Sequence, residues 1–366
     1  MKIKAAVLHS LNQLFKIENL DLQEPAENEV HVKMKAAGVC RSDWHLVTGG
    51  TKHPLPLVAG HEGAGIVDKA GANVKNVKPG DHVVLSWAPY CGECYYCKIE
   101  RTSLCSTYSE TLSTGTMLDG TTRLSFNGSP VYHYCGLACF AEYTTVPAQC
   151  CVPVSKEISL DAASLIGCAV TTGIGSVINT AKVQNGSLVV VFGCGGVGLS
   201  TIMGAKLSGA EKIIAVDVNE NKSGIARDAG ATHFLRSDQN VIQEIKKLTN
   251  GRGADYAFET TGITKVQEIS LEAIRPAGTL VLAGLSAMGS TTNLPGSKIT
   301  RQEKIIMGTF YGTSKPDRDF VFIAEQHLNG KINLSELISK TYSLDEINEA
   351  FKDMLTGNYA RGVIKF

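Results

Sequence analysis

Ser187-Leu188-Val189-Val190-Val191-Phe192-Gly193-Cys194-Gly195-Gly196-Val197-Gly198 is the stretch on which the fold turns. Its first half is a short apolar run, the pattern of a strand covered on both faces. Its second half matches G-x-G-x-x-G, a weak signal alone in a chain with 37 glycines. Position strengthens it. The glycines follow a strand and open a helical run, Val197–Ser208, whose first amides can meet a pyrophosphate. Gly193 serves the tight turn, Gly195 with Gly196 beside it permits close backbone approach, and Gly198 permits helix–strand packing. The next strand ends on Asp217, 19 residues after Gly198, where an acid hydrogen-bonds the adenosine ribose, with Lys222 just beyond. That carboxylate would repel a 2′-phosphate, and Val218-Asn219 offers no arginine to hold one. The cofactor expected is NAD(H).

Outward from this motif, apolar strands recur at Leu188–Gly193, Lys212–Asp217, His233–Leu235, Asp255–Glu259, Thr279–Gly284 and Ile305–Phe310. Helical segments such as Val197–Ser208 and Glu220–Ala229 lie between most of them, and Pro276 and Gly278 are expected to close a helix begun near Ile263. This alternation predicts a doubly wound parallel sheet, a Rossmann domain over residues 170–312. Before it, Val30–Ala36, Gly65–Lys69, His82–Leu85 and Glu142–Val146 are β-rich runs divided by turns such as Lys78-Pro79-Gly80-Asp81. With the loop-rich Ser106–Pro130 they predict an antiparallel β domain. After it, Ser343 and Glu346 form a capping box before the helical run Leu344–Leu355, and Gly362–Phe366 reads as a last strand.

The 366 residues hold 35 basic and 35 acidic side chains. Such a balance carries no electrostatic footprint for nucleic acid and no basic patch for a membrane surface. No apolar run approaches the ~20 residues that span a bilayer, and Met1–His9 has no signal-like core. A soluble, cytoplasmic chain is expected, and eleven cysteines do not suit a disulfide scaffold there. Four of them lie in 15 residues as Cys91-x2-Cys94-x2-Cys97-x7-Cys105. Four thiolates suit a closed tetrahedral zinc that pins a lobe, about 88–108, with little core of its own. The rival is an iron–sulfur cluster. The ferredoxin run, however, places its fourth cysteine after three residues and follows it with proline, whereas here the gap is seven and Ser106 follows.

Two further segments stand out, Gly38-Val39-Cys40-Arg41-Ser42-Asp43 and Gly60-His61-Glu62-Gly63-Ala64-Gly65. Alone, Cys40 reads as a buried thiol and His61 as a satisfied histidine. Together with the tetracysteine lobe, the glycine motif, Ile166-Gly167-Cys168 and the closing Arg361, they make one ordered pattern. Across essentially its whole length the chain resembles the zinc-dependent medium-chain alcohol dehydrogenases, of the long-loop kind that includes animal, plant, benzyl- and geraniol-type enzymes.

The resemblance implies a GroES-like catalytic domain from residues 1–169 and 313–366, interrupted by the Rossmann domain. It implies two zinc ions per chain, a structural one on the tetracysteine lobe and a catalytic one on Cys40, His61 and Cys168. The open fourth position would let the catalytic zinc act as Lewis acid toward an alcohol or aldehyde oxygen while hydride passes to or from NAD. Asp43 would orient His61, and Glu62 would lie near the metal. Ser42 and His45 would relay the proton, and Arg41 and Arg361 would grip the pyrophosphate. Thr172 and Val197 would pack behind the nicotinamide, with ordinary helix packing as the alternative. Cys135, Cys139, Cys150, Cys151 and Cys194 have no task and read as small buried fillers.

For the substrate, the sequence leaves several alternatives. Glutathione-dependent formaldehyde dehydrogenases are similar in loop length, but Ser109 stands where they carry a carboxylate-binding arginine. Trp87 falls where the family lines its pocket, and Tyr90 and Tyr108 are read as added aromatic surface. A small-molecule primary alcohol or aldehyde with an apolar or aromatic body is expected, with a polyol or the glutathione adduct as alternatives. Outside this class stand a non-enzymatic NAD-binding protein and an iron–sulfur carrier. A homodimer is expected by analogy, with Ile305–Phe310 as an edge strand, and a tetramer is the alternative. Wild-type enzyme is expected to turn over with NAD in preference to NADP, and Asp217→Ser to erode that preference. Initial rates with both cofactors test this, and a wild-type preference for NADP contradicts it.

Overall fold

The computed structural model describes residues 1–366, which divide into two compact units. The first comprises Met1–Cys168, Lys315–Gly330 and Ile338–Phe366, the second Ala169–Ser314 and Lys331–Leu337. No single helix is long and apolar enough to cross a membrane.

The first unit is β-rich. Strands Lys2–Leu8, Lys16–Leu22, Leu124–Phe126, Ser129–His133 and Leu57–Val58 close into a barrel. A second sheet runs in the order Cys151–Pro153, His82–Leu85, Glu62–Ala70, Glu29–Gly38, Arg361–Lys365 and Ile338–Ser343. Strand Tyr143–Pro147 also pairs with Glu29–Gly38. Ile3, Leu20, Met34, Leu57, Leu85 and Phe140 are buried in one continuous core. Consequently the C-terminal strand lies antiparallel against Glu29–Gly38, with Val363 opposite Gly38, and Val39 donates its amide to the Gly362 carbonyl at 3.0 Å. Residues more than 300 positions apart are thereby neighbours.

The second unit holds six parallel strands, His233–Arg236, Lys212–Asp217, Leu188–Phe192, Ala254–Glu259, Ile274–Leu282 and Ile305–Gly308, in that spatial order. By chain position this is 3-2-1-4-5-6, the doubly wound order. Every residue of Leu188–Phe192 is buried, as its unbroken apolar run requires in a sheet covered on both faces.

Some local expectations need correction. The helix after the fourth of these strands spans Thr264–Ala273, and Ile274 already begins the next strand. Pro276 and Gly278 therefore sit inside that strand rather than closing the helix. The ladder is irregular there, Ala277 has φ 56° and gives its amide to Gln302, and Pro276 is exposed. At such an irregularity a proline's missing N–H costs no ladder bond. The edge strand stops at Gly308 rather than Phe310. In the first unit, Ser343 and Glu346 do form the capping box, but a 3-10 turn intervenes before the helix Ile347–Thr356.

Ser106–Pro130 is more ordered than its composition suggests, with short helices at Ser106–Ser109 and Thr111–Thr114. Arg123 anchors its far end. The guanidinium forks onto buried Glu29 at 2.8 and 2.6 Å and onto Asp119 at 2.7 Å, while its amide meets His133 Nε2 at 3.1 Å. Arg123→Met would leave Glu29 buried and unpaired, so a loss of about 3–5 kcal/mol in denaturant unfolding is expected. Little change in the midpoint would show that the pair is not a constraint.

Candidate active site

Helix Arg41–Val47 starts at Cys40, and its third residue, Asp43, is fully buried. Asp43 Oδ2 accepts the Cys40 amide at 3.3 Å, and Oδ1 accepts the Gly60 amide at 3.0 Å. Oδ1 also pairs with His61 Nδ1 at 3.1 Å, which assigns the His61 proton to Nδ1 and leaves Nε2 as a ligand. Gly60 must be glycine: its φ is +89°, and a Cβ would approach the Phe140 amide nitrogen to 2.8 Å.

His61 Nε2 is buried with no hydrogen-bond partner. One donor atom from each of Cys40, His61, Glu62 and Cys168 lies within 4.8 Å of the others. Two sulfurs and an imidazole nitrogen left unpaired, with a carboxylate beside them, suit zinc, and the residues fit the ion. The electrostatics agree. The hydrogen bond from the Cys168 thiol, helped by His61 and Arg361, holds Cys40 well below the usual thiol range. Giving that bond, together with burial, pushes Cys168 up. Burial works against a proton on His61, yet Asp43 and the two sulfurs outweigh it and raise its pKa. Burial lifts Glu62 to about 7 against the pull of Arg361. A pocket with this field calls for a cation.

Arg361 is buried, and its Nη2 pairs with Glu62 and gives a 3.0 Å bond to the Val39 carbonyl. Ser42 and His45 stand three apart on the same helix, a spacing that puts them on one face. Ser42 Oγ is 3.7 Å from Cys40 Sγ. Partial burial, then the charge of Arg41, lowers the His45 pKa. Trp87 meets the His61 ring edge-on at 6.5 Å.

Tyr134 escaped the sequence reading. Its ring lies 5.3 Å from His61 and 4.9 Å from His53, and its hydroxyl donates to the Ser42 carbonyl at 3.3 Å. Nothing in the short segment around it marks a role. The nearest signal was its place among aromatic and histidine residues, Tyr132 to Tyr134.

The tetracysteine lobe is a second donor set, with all four sulfurs within 4.8 Å and none in a disulfide. Amides of Glu93 and Cys94 point at Cys91 Sγ at 3.4 and 3.3 Å, as amides do toward thiolates. Hydrogen bonds, first from the Cys97 backbone, bring Cys94 down to about 5, while burial lifts Cys97 to about 12. Only Cys97, Cys105 and Tyr108 form its core, so an ion must supply most of the order. The other five cysteines are free, and burial raises the pKa of each.

In the second unit Gly193 has φ +97°, and a Cβ on Gly198 would fall on the Gly193 carbonyl. At Gly195 a Cβ would meet nothing within 4 Å, so open space adjoins the turn where a dinucleotide would lie. Asp217 accepts the Cys194 amide at 2.7 Å, the Asn219 amide at 3.0 Å and Lys222 Nζ at 3.2 Å. Thr172 and Val197 belong to the packed helices Ala169–Gly175 and Gly196–Leu207.

Fold and site define a zinc- and dinucleotide-dependent oxidoreductase. The family of alcohol dehydrogenase GroES-like domains matches residues 26–156, and that of zinc-binding dehydrogenases residues 196–324. An NDMA-dependent alcohol dehydrogenase of Amycolatopsis methanolica is 40% identical, covering 100% of this chain and 99% of its own. An S-(hydroxymethyl)glutathione dehydrogenase of Paracoccus denitrificans is 38% identical over 100% of both. The benzyl alcohol dehydrogenase structure from Acinetobacter calcoaceticus superposes with TM-score 0.95 at 32% identity, covering 100% of this chain and 99% of that one. The chain belongs to the zinc-dependent medium-chain alcohol dehydrogenase family, with zinc and NAD as cofactors.

Asp43→Ala would free the His61 ring and the Cys40 and Gly60 amides at once. Zinc affinity at this site is expected to fall about 10–100-fold while the lobe keeps its ion. Chelator competition with metal analysis measures both, and equal loss from the two sites would contradict the assignment.

Proposed function

We propose that the chain interconverts a primary alcohol and its aldehyde with NAD, at a site whose ligands are Cys40, His61 and Cys168. The observation that carries this reading is the buried His61 Nε2, partnerless beside two sulfurs. When bound, zinc supplies a Lewis acid for the substrate oxygen and NAD supplies the hydride acceptor. The chain's own residues do the rest. Asp43 keeps His61 in one tautomer and one orientation. Ser42 Oγ accepts the proton leaving the substrate hydroxyl as its own hydroxyl proton moves on toward a His45 ring nitrogen, which releases one to solvent. Because its pKa is lowered, His45 stays a neutral acceptor further into the acid range than an ordinary histidine. Gly193, Gly195, Gly196 and Gly198 cradle the pyrophosphate, Asp217 and Lys222 hold the adenosine ribose, and Arg41 and Arg361 add positive charge. Thr172 and Val197 support the nicotinamide.

The substrate body is apolar or aromatic in this reading. The rings of Trp87 and Tyr134 stand nearly perpendicular to that of His61, and this aromatic surround favours a flat or apolar group beside it. The benzyl alcohol dehydrogenase relative is consistent with that choice. A glutathione adduct is the second reading, favoured by the name of the Paracoccus relative. Against it, Ser109 is exposed and its hydroxyl bonds the Ser106 carbonyl at 3.0 Å, with no cation there for a carboxylate. The lobe's zinc is structural, the first unit is the GroES-like domain, the second the Rossmann domain, and the protein works as a cytoplasmic homodimer. Among benzyl, allylic, short aliphatic and polyol alcohols and S-(hydroxymethyl)glutathione, kcat/KM is expected to be highest for benzyl or allylic alcohols. A preference for the polyol or the glutathione adduct would overturn the substrate class.

A further inference from the structure

Gly38 ends the strand Glu29–Gly38 and is paired with Glu62 on one side and Val363 on the other. A Cβ built there would overlap Glu62 Oε2 and lie 3.1 Å from both Arg361 Nη2 and Leu165 Cδ2. The space of the missing methyl is thus the space the Glu62 carboxylate occupies. One oxygen of that carboxylate is held by Arg361, and the other, Oε1, is buried without a partner. Glu62 also contributes an oxygen to the four-residue donor cluster, so it stands within reach of any ion held by Cys40, His61 and Cys168. An unpaired buried carboxylate oxygen beside a divalent cation is strongly drawn to it. Something must restrain it if a coordination position is to stay open.

We propose that Gly38 is a positioning residue: the notch it leaves, together with Arg361, seats Glu62 away from the metal and keeps a substrate position open. The proposal rests on the reading of Cys40, His61 and Cys168 as the ligand set. A side chain at position 38 evicts the carboxylate from this seat. The Glu62 backbone is itself closely packed, since a Cβ on Gly167 would sit 3.3 Å from Glu62 Cα and 2.9 Å from the Leu85 carbonyl, so the side chain rather than the strand must move. A Glu62 oxygen already lies within 4.8 Å of the other donors, and a fourth protein ligand converts an open site into a closed one.

The test uses full-length enzyme with cobalt(II) exchanged into the catalytic site, imidazole as the probe of the open position, and no NAD present. The visible cobalt spectrum of wild type should shift on imidazole addition. In Gly38→Ala, imidazole binding should weaken about tenfold or more. In Gly38→Ala with Glu62→Ala it should return to the value of Glu62→Ala alone, a rescue that general damage to the fold would not produce. Arg361→Gln removes the other half of the seat without crowding it, should weaken imidazole binding in the same direction, and carries the test if Gly38→Ala does not fold. Wild-type imidazole binding in Gly38→Ala, or in Arg361→Gln where that variant carries the test, overturns the proposal. So does a loss that persists without Glu62. A wild-type cobalt spectrum that ignores imidazole instead removes the ligand-set reading, and the proposal with it.

Discussion

The site depends on one buried carboxylate. Asp43 accepts the amide of Cys40, the amide of Gly60 and the ring N–H of His61, so it joins two segments about 20 residues apart through two oxygens. The bonds from Gly60 and His61 are buried, and an unmet partner in such a place costs about 1–3 kcal/mol or more. The same three bonds fix the start of the helix that carries Ser42 and His45. Ligand orientation, helix placement and relay geometry are therefore consequences of a single side chain's satisfaction.

Around that carboxylate the charges are arranged in layers. Two thiols, an imidazole and Glu62 share a space small enough that their protonation is interdependent. Arg361 offsets part of the negative charge from a strand at the far end of the chain, and strand pairing with Glu29–Gly38 delivers it there. The final strand is thus as much a part of the site as the Cys40 segment. The lobe solves a different problem. With three buried residues at its core it cannot order itself by burial, so metal chemistry replaces hydrophobic packing.

Much of this was legible from residue order. The glycine motif, its strand and Asp217 announced the parallel sheet, because helix–strand alternation and steric demands at Gly193 and Gly198 are local. The tetracysteine spacing is local too, and so is the Ser343–Glu346 cap. What escaped was what depends on distant partners. Pro276 punctuates a helix in sequence, but a ladder irregularity accommodates it inside a strand. Tyr134 carries no motif, and its importance arises only from lying against His61 and the Ser42 carbonyl.

From its residues alone the chain determines a two-cofactor chemistry: thiols and a histidine suited to zinc, and a glycine turn with an acid suited to NAD. Short-range rules of spacing and backbone conformation are enough for that, because each motif contains its own chemistry. The sequence could not decide which nitrogen of His61 is left for a metal, where the Glu62 carboxylate rests, or why position 38 has no side chain. The first was decided by the hydrogen bond from His61 Nδ1 to Asp43, the others by antiparallel pairing of Glu29–Gly38 with both Glu62–Ala70 and Arg361–Lys365. Strand register brings the three segments within contact distance, and at that range a single methyl group or an unpaired oxygen governs what the site can hold.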